Sequence, residues 1–200
     1  MSTQSFSDAE LLLYSRQILL PDWDIDAQLK LKSARVLMIG MGGLGCPAAQ
    51  VLARAGLGFL RIVDFDSVDE SNLQRQLLFY ADDIGQPKVF AAKNSLSKIN
   101  QWIEIDAVVE RVTSENLPNL LHNIDLVLDG SDNFETRDQI NQACVQAKIP
   151  LLSAAAIGLE GQISLFQAAT GCYRCVFPDA PEYARRCADT GVLASTTATI

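Results

Sequence analysis

No stretch of the 200 residues approaches the roughly 18 consecutive apolar positions that suggest a membrane-spanning helix. Basic residues are also scarce: 16 Lys and Arg stand against 24 Asp and Glu, for a formal charge of −8 and a pI of about 4.6. Nucleic acid rewards a basic face, so it is not expected as a partner. Met1 to Phe6 is polar and lacks the charged-then-apolar layout of a secretory signal. Without such a signal, five cysteines read as reduced thiols rather than a disulfide framework, and the expectation is a soluble cytoplasmic protein. There is one histidine, His122, with no partner set around it, and it reads as a helix-end residue. No G-x-x-x-x-G-K-[ST] occurs anywhere, which excludes a P-loop nucleotidase.

What is present is a chain that is 48% hydrophobic, long enough for one full core. Ser7-Asp8-Ala9-Glu10 has the form of a capping box, and Leu11, Leu12, Tyr14, Ile18 and Leu19 follow at helical spacing. A second helical stretch runs to about Lys32. Val36 to Ile39 is then a short continuous apolar run, the mark of a strand buried on both faces. A helix through Ala55 and a strand from Leu60 to Val63 complete a strand–helix–strand unit. Pro87 opens a helix reaching Ile99. Further strands are expected at 103–109, 126–128, 151–153 and 162–166, with a helix over 134–147. The alternation implies a doubly wound, mostly parallel α/β sheet of the Rossmann kind, preceded by N-terminal helices. There is no repeat, low-complexity tract or linker. Residues 1–200 read as a single domain, and the run 191–200 reads as cut inside an element, so a truncated C-terminus is expected.

Gly40-Met41-Gly42-Gly43-Leu44-Gly45 fits the G-x-G-x-x-G fingerprint and lies between a strand and a helix, as that fingerprint requires. Glycines there allow a tight turn and let backbone N–H groups approach phosphate at a helix N-terminus. Asp64, at the end of the next strand, is placed to accept ribose hydroxyls. This motif does not choose between NAD, FAD and ATP. Ser71-Asn72-Leu73-Gln74-Arg75-Gln76 offers a planar guanidinium suited to phosphate, though the same composition also suits a solvated helix. Lys88 falls in a first helical turn, where a cation is unfavourable unless an anion is bound; a surface lysine is the bland alternative. Asp129-Gly130-Ser131-Asp132-Asn133 ends a buried strand at the edge where open α/β sheets take ligands. A carboxylate there suits Mg²⁺ facing a triphosphate, and an Asp/Asn turn capping the next helix is the alternative. Cys172-Tyr173-Arg174-Cys175 supplies two of the four ligands of a tetrahedral zinc site. Cys46 and Cys144 fall in helical patterns as core residues, and Trp23 and Trp102 need no role beyond packing.

The linked set Gly40–Gly45, Asp64-Phe65-Asp66, Asn72 to Gln76, Gly85-Gln86-Pro87-Lys88 and Asp129 to Asn133 resembles the MoeB/ThiF/HesA family, bacterial relatives of ubiquitin-activating enzymes. The likeness begins near Ser7, takes in Tyr14 to Ile18, and lies nearest the molybdopterin-synthase branch. It implies an adenylyltransferase that uses ATP and Mg²⁺ on the C-terminal Gly-Gly of a ubiquitin-like sulfur carrier, the small subunit of molybdopterin synthase first and a thiamine-pathway carrier second. It implies that Gly40, Gly42, Gly43, Gly45, Asp64, Asp66, Ser71, Asn72, Leu73, Gln74, Arg75, Lys88, Asp132 and Asn133 surround ATP. Asp132 would hold Mg²⁺, and Arg75 and Lys88 would stabilise phosphate charge. Arg16 would reach into a neighbouring subunit's site, implying a homodimer. A second C-x-x-C would complete structural Zn²⁺ with Cys172 and Cys175 in a longer protein. Cys187 matches a cysteine that some relatives join covalently to the carrier before a sulfur donor acts. The rivals are an NAD-dependent oxidoreductase, a non-catalytic nucleotide-binding scaffold, and relatives that adenylate a carboxylate on a modified tRNA base.

Overall fold

The computed structural model describes residues 5–167, 169–178 and 191–199. Helices α1 (Asp8–Ile18) and α2 (Asp24–Ser33) precede β1 (Arg35–Ile39). Next come α3 (Gly45–Ala55), β2 (Phe59–Val63), α4 (Lys88–Ile99), β3 (Glu104–Val108), the short α5 (Leu117–Leu120) and β4 (Leu126–Asp129). The chain continues through α6 (Phe134–Ala147), β5 (Leu151–Ile157), β6 (Glu160–Phe166), α7 (Tyr173–Val176) and α8 (Ala194–Thr199). The strands form one sheet in the order β3-β2-β1-β4-β5-β6; the first five run parallel, and β6 returns antiparallel beside β5.

Alternating strand residues feed two apolar layers, as a strand covered on both faces requires. Val36 and Met38 of β1 join Leu60 and Ile62 against Cys46, Ala49, Val89 and Leu96 of α3 and α4. Leu37 and Ile39 face the other way, with Val127, against Leu117, Leu120, Ile140 and Cys144 of α5 and α6. Both core cysteines are thus where their helical spacing put them. The chain winds outward from β1 to β3, then crosses back to start β4 on the other side of β1. That reversal makes β1/β4 the switch point, where two loops diverge and leave a crevice at the carboxyl edge.

The N-terminal pair docks through polar groups as well as apolar ones. Helix α3 ends at Gly56 in the left-handed region (φ +95°), whose N–H returns to Ala53 O, and carbonyls of this last turn take further donors from side chains. Asn100 Nδ2 donates to Ala53 O and to the Tyr14 hydroxyl. Gln28 Nε2 donates to Ala55 O, while Gln28 Oε1 accepts from Gln17 and from the Trp23 indole. Trp23 therefore has a hydrogen-bonding role beyond the packing expected of it. A side chain at position 56 would begin 2.6 Å from Gln28 Nε2, so glycine is needed for space as well as for φ.

The Ser7 capping box forms as read, and Glu10 also pairs with Lys32 of α2. Burial pushes the Glu10 carboxyl up, but the Lys32 ammonium and the Ser7 N–H and hydroxyl outweigh it and hold it below the ordinary value. A carboxyl lowered in the folded state stabilises above its unfolded pKa and loses that contribution as pH falls through the folded one. Acid below about pH 4 should therefore loosen α1 from the domain, followed by Trp23 fluorescence. The Glu10→Gln variant should show no such transition; an unchanged acid transition would remove Glu10 as its cause.

Candidate active site

Strand β1 delivers the chain into the glycine loop with its first turn fixed by neighbouring strands. Gly40, at φ +90°, donates to Val63 O at 2.9 Å, and Gly130 donates to Ile39 O at 2.9 Å. A side chain at Gly40 would begin 2.9 Å from Gly130 O, and one at Gly45 only 1.9 Å from Gly40 O. The loop after β4 thus lies directly against the loop after β1. Helix α3 starts at Gly45 with no side-chain cap, so the loop ends at a bare helix N-terminus, which suits an anion.

Asp64, at the tip of β2, is 9% exposed and braces this loop. Its Oδ2 accepts the Met41 N–H at 2.7 Å and its Oδ1 the Asp66 N–H at 2.8 Å. Burial raises its pKa, against the opposing pull of the Asp66 N–H, Lys88 and the Met41 N–H, while the Asp66 charge adds to the rise. Lys88 is not the lone first-turn cation that its sequence position suggested. It is 6% exposed, its Nζ lies 2.9 Å from Asp66 Oδ2, and its backbone N–H donates to Asp66 O. Pro87 stands at the N-cap of α4, one place before the helix it was expected to open.

Between Val68 and Gln86 the chain makes a polar excursion. Asp69 and Asn72 cap a 3₁₀ turn, Glu70–Asn72, reciprocally. Arg75 is half-buried and its Nη1 donates to Ser71 O at 3.0 Å. Leu73 packs on the core beneath α3 and α4, and Ser71 and Gln74 are exposed. Gln76 is buried, and its Oε1 has no partner among the described residues.

In the β4 loop the two acids part company. Asp129 is 2% exposed and fully engaged, accepting from the Ser131 N–H and the Ser153 hydroxyl, both at 2.9 Å. Asp132 is exposed at the edge. Asn133 caps α6 by accepting the Thr136 N–H at 2.9 Å, so the turn-cap reading of this segment also holds.

Gly40 to Gly45, Asp64, Asp66 and Lys88 are therefore linked by hydrogen bonds or direct packing, with the Asp129–Asn133 loop against them. Arg16 is apart, exposed on α1 between the exposed Leu12, Leu13, Leu19 and Leu20. Cys172, at the N-cap of α7, and Cys175, within it, are also apart. Their sulfurs lie 3.7 Å apart, close to the roughly 3.8 Å edge of a tetrahedron with Zn–S bonds of about 2.3 Å. The two thiols thus fit half of a zinc site; among the described residues no group of three potential ligands is gathered. Burial raises the Cys172 thiol, but the Cys175 backbone N–H, the Asn141 amide, the Cys175 thiol and the Arg174 backbone outweigh it and leave it lowered. Cys187 lies outside the described residues. Sequence reading missed Arg137 and Asn141, buried polar residues on α6, and Thr197, whose Cγ2 lies 3.0 Å from where a Gly43 side chain would begin. Only an unexpected polar residue on the buried stripe of a helix could have signalled the first two.

A glycine turn opening an uncapped helix beside a buried strand-end acid, at the switch point of a parallel sheet, defines a Rossmann-like nucleotide-binding domain. The chain belongs to the ThiF family, whose model matches residues 14–200. It is 48% identical over 190 residues to the molybdopterin-synthase adenylyltransferase of Escherichia coli K12, covering 94% of this chain and 76% of that protein. It is 45% identical over 189 residues to the sulfur carrier protein ThiS adenylyltransferase of the same organism, covering 94% and 75%. Among solved structures, the E. coli tRNA N6-threonylcarbamoyladenosine dehydratase TcdA in complex with ATP superposes with a TM-score of 0.73 at 27% identity. That match covers 78% of this chain and 64% of TcdA.

Proposed function

We propose that this protein adenylates the C-terminal glycine carboxylate of a ubiquitin-like sulfur carrier, using ATP and Mg²⁺ and releasing pyrophosphate. The observation that carries the reading is the buried Lys88, held by Asp66 at the edge of the glycine loop. A cation so placed offers a phosphate-binding charge that hydride chemistry with NAD does not require. The names of the two curated relatives support the same reaction, and the molybdopterin-synthase small subunit is the carrier the higher identity favours.

In the proposed reaction the triphosphate lies along the glycine loop at the N-terminus of α3. Lys88 and Arg75 bear on its phosphates, and Asp64 and Asn72 lie toward the ribose. Asp132, the exposed acid of the β4 loop, would hold Mg²⁺, which would supply charge to offset that of the phosphates. A carrier carboxylate oxygen bonds to the α-phosphorus. The bond from that phosphorus to the oxygen bridging to the β-phosphate breaks, and its electron pair leaves with pyrophosphate. A carboxylate is already a nucleophile, so no base is needed and positioning and electrostatics supply the rate. A sulfur donor, a thiol or persulfide, then attacks the acyl carbon and expels AMP; Cys187 is the residue through which a covalent carrier link would pass.

Three further features belong to the proposal. The apolar face around Arg16, with Leu12 78% and Leu19 73% exposed, suits burial against a second copy, which would bring Arg16 to the neighbouring site. Cys172 and Cys175 would supply half of a structural zinc site. The four described cysteines are all free thiols, as suits a reducing cytoplasm. Among the described residues, no helix is long and apolar enough to cross a membrane.

The test is ATP–pyrophosphate exchange with Mg²⁺ across a panel of carriers ending in Gly-Gly. Exchange that appears with one carrier, and disappears in Asp132→Ala, supports the reaction and names the pathway. ATP binding without exchange on any carrier would sink the sulfur-carrier reading.

A further inference from the structure

Arg137 of α6 is 8% exposed, yet among the described residues it has no carboxylate within ion-pair distance. Its Nη2 donates to two backbone carbonyls, Ser131 O and Ala154 O, the second at 3.2 Å. A guanidinium carries five N–H donors, and here those on Nε and Nη1 have no acceptor among the described residues. Neither nitrogen is among the buried atoms left without a partner, so both face space that an incoming acceptor can reach, and a carboxylate there would make a charge-assisted contact. A second, independent vacancy lies in the same loop: the Ser131 hydroxyl is buried with no hydrogen-bond partner among the described residues. The two groups belong to one unit, since Arg137 itself holds the Ser131 carbonyl.

The surroundings define what that anion is. Ser131 N lies 3.4 Å, and Gly130 O 2.9 Å, from where a Gly40 side chain would begin. The Arg137 site is therefore one backbone thickness from the glycine loop, on the β4–β5 side of β1. Lys88 and Asp66 lie on the opposite, β2 side. The proposed reaction brings together two anions, a triphosphate and a carboxylate, and the fold has cations on both flanks of the loop between them. Asp138, next to it in sequence, pairs with Arg174, and Asp129 has both oxygens engaged by Ser131 and Ser153, so neither neutralises the guanidinium.

We infer that Arg137, with the Ser131 hydroxyl, receives the terminal α-carboxylate of the carrier's peptide tail and sets it beside the nucleotide loop. The inference rests on the adenylation reading and adds the group that recognises the nucleophile. Guanidinium to carboxylate is a charge-assisted, geometrically defined contact. Arg137 holds one carboxylate oxygen, leaving the other for the α-phosphorus. The residue acts on the carrier and not on ATP.

The experiment measures carrier affinity in the presence of α,β-methylene ATP, which blocks turnover, for a native carrier and for the same carrier amidated at its C-terminus. On the unmodified enzyme, amidation should weaken binding on the order of 10²-fold. On Arg137→Gln, native and amidated carriers should bind equally, with affinity for the ATP analogue unchanged. Equal binding of both carriers to the unmodified enzyme would overturn the inference. So would an equal loss for both carriers in Arg137→Gln, or a loss of nucleotide affinity, since either marks a clamp on the loop alone. Arg137→Met replaces the glutamine variant if that one does not fold, with the same loss of amidation sensitivity expected. Exchange on the unmodified enzyme separates the two failures: exchange present with amidation-insensitive binding removes Arg137, and exchange absent with every carrier removes the adenylation reading itself.

Discussion

Replacing Lys88 with methionine should lower ATP–pyrophosphate exchange on the order of 10²-fold while leaving the fold intact. Methionine keeps most of the apolar stem, and Lys88 sits among buried α4 neighbours, so packing changes little. What disappears is the ammonium. Asp66 loses its partner, but its side chain is 48% exposed and can be solvated, and the buried Asp64 loses the pull of Lys88 but keeps the Met41 and Asp66 N–H donors. The effect should therefore fall on catalysis and not on the thermal midpoint. In the unliganded protein Asp66 neutralises Lys88, and phosphate would compete for the same ammonium. Asp66→Asn should consequently tighten nucleotide binding or leave it unchanged. A Lys88→Met enzyme within about tenfold of the unmodified rate would remove Lys88 from the phosphates.

Gly45→Ala should be the more damaging change to the fold of the loop. Its added carbon would fall 1.9 Å from Gly40 O, a backbone atom that cannot swing aside as a side-chain tip could. Gly45 does not have a positive φ, so alanine is conformationally allowed there and the penalty is purely one of space. Overpacking of this kind costs about 3 kcal/mol and opens the turn that presents the α3 N-terminus. Nucleotide affinity should fall with it. Gly42→Ala is the control, since nothing lies within 4 Å of its added carbon, and its stability should be nearly unchanged. Thermal unfolding with and without ATP reads both. Equal stability of the two variants would mean that the Gly40–Gly45 contact does not constrain the loop.

Most of the fold was legible because local signals agreed with one another. The Ser7 capping box, the glycine stop after Ala55 and the Asn133 cap before Phe134 each have a fixed chemical form, and each is found where it was read. The buried strands β1, β2 and β4 stood out as apolar runs because both of their faces are covered. Strands β5 and β6 run longer than expected, through 157 and from 160. Their pairing is antiparallel and lies at the sheet edge, where exposed positions dilute the pattern. The four-residue helices α5 and α7 escaped notice because one turn carries no periodicity.

The site was legible as motifs but not as wiring. That Asp64 braces the Met41 N–H, and that Asp129 is engaged by Ser153 while Asp132 stays exposed, depends on hydrogen bonds between segments distant in sequence. Spacing does not encode such bonds. The Lys88–Asp66 pair spans 22 residues, which is why Lys88 read as an isolated charge. Arg137 was overlooked for the converse reason: within a polar helical sequence an arginine reads as solvated, and only its 8% exposure reveals it.

The central claim is that the attack falls on the α-phosphorus. The most direct measurement incubates the full-length protein with ATP, Mg²⁺ and its carrier, in the absence of sulfur donor, and analyses the products by mass spectrometry. Attack on the α-phosphorus should give a carrier heavier by one adenylyl group, with pyrophosphate released in equal amount. ADP accompanied by a phosphorylated carrier would place the attack on the γ-phosphorus and contradict the account.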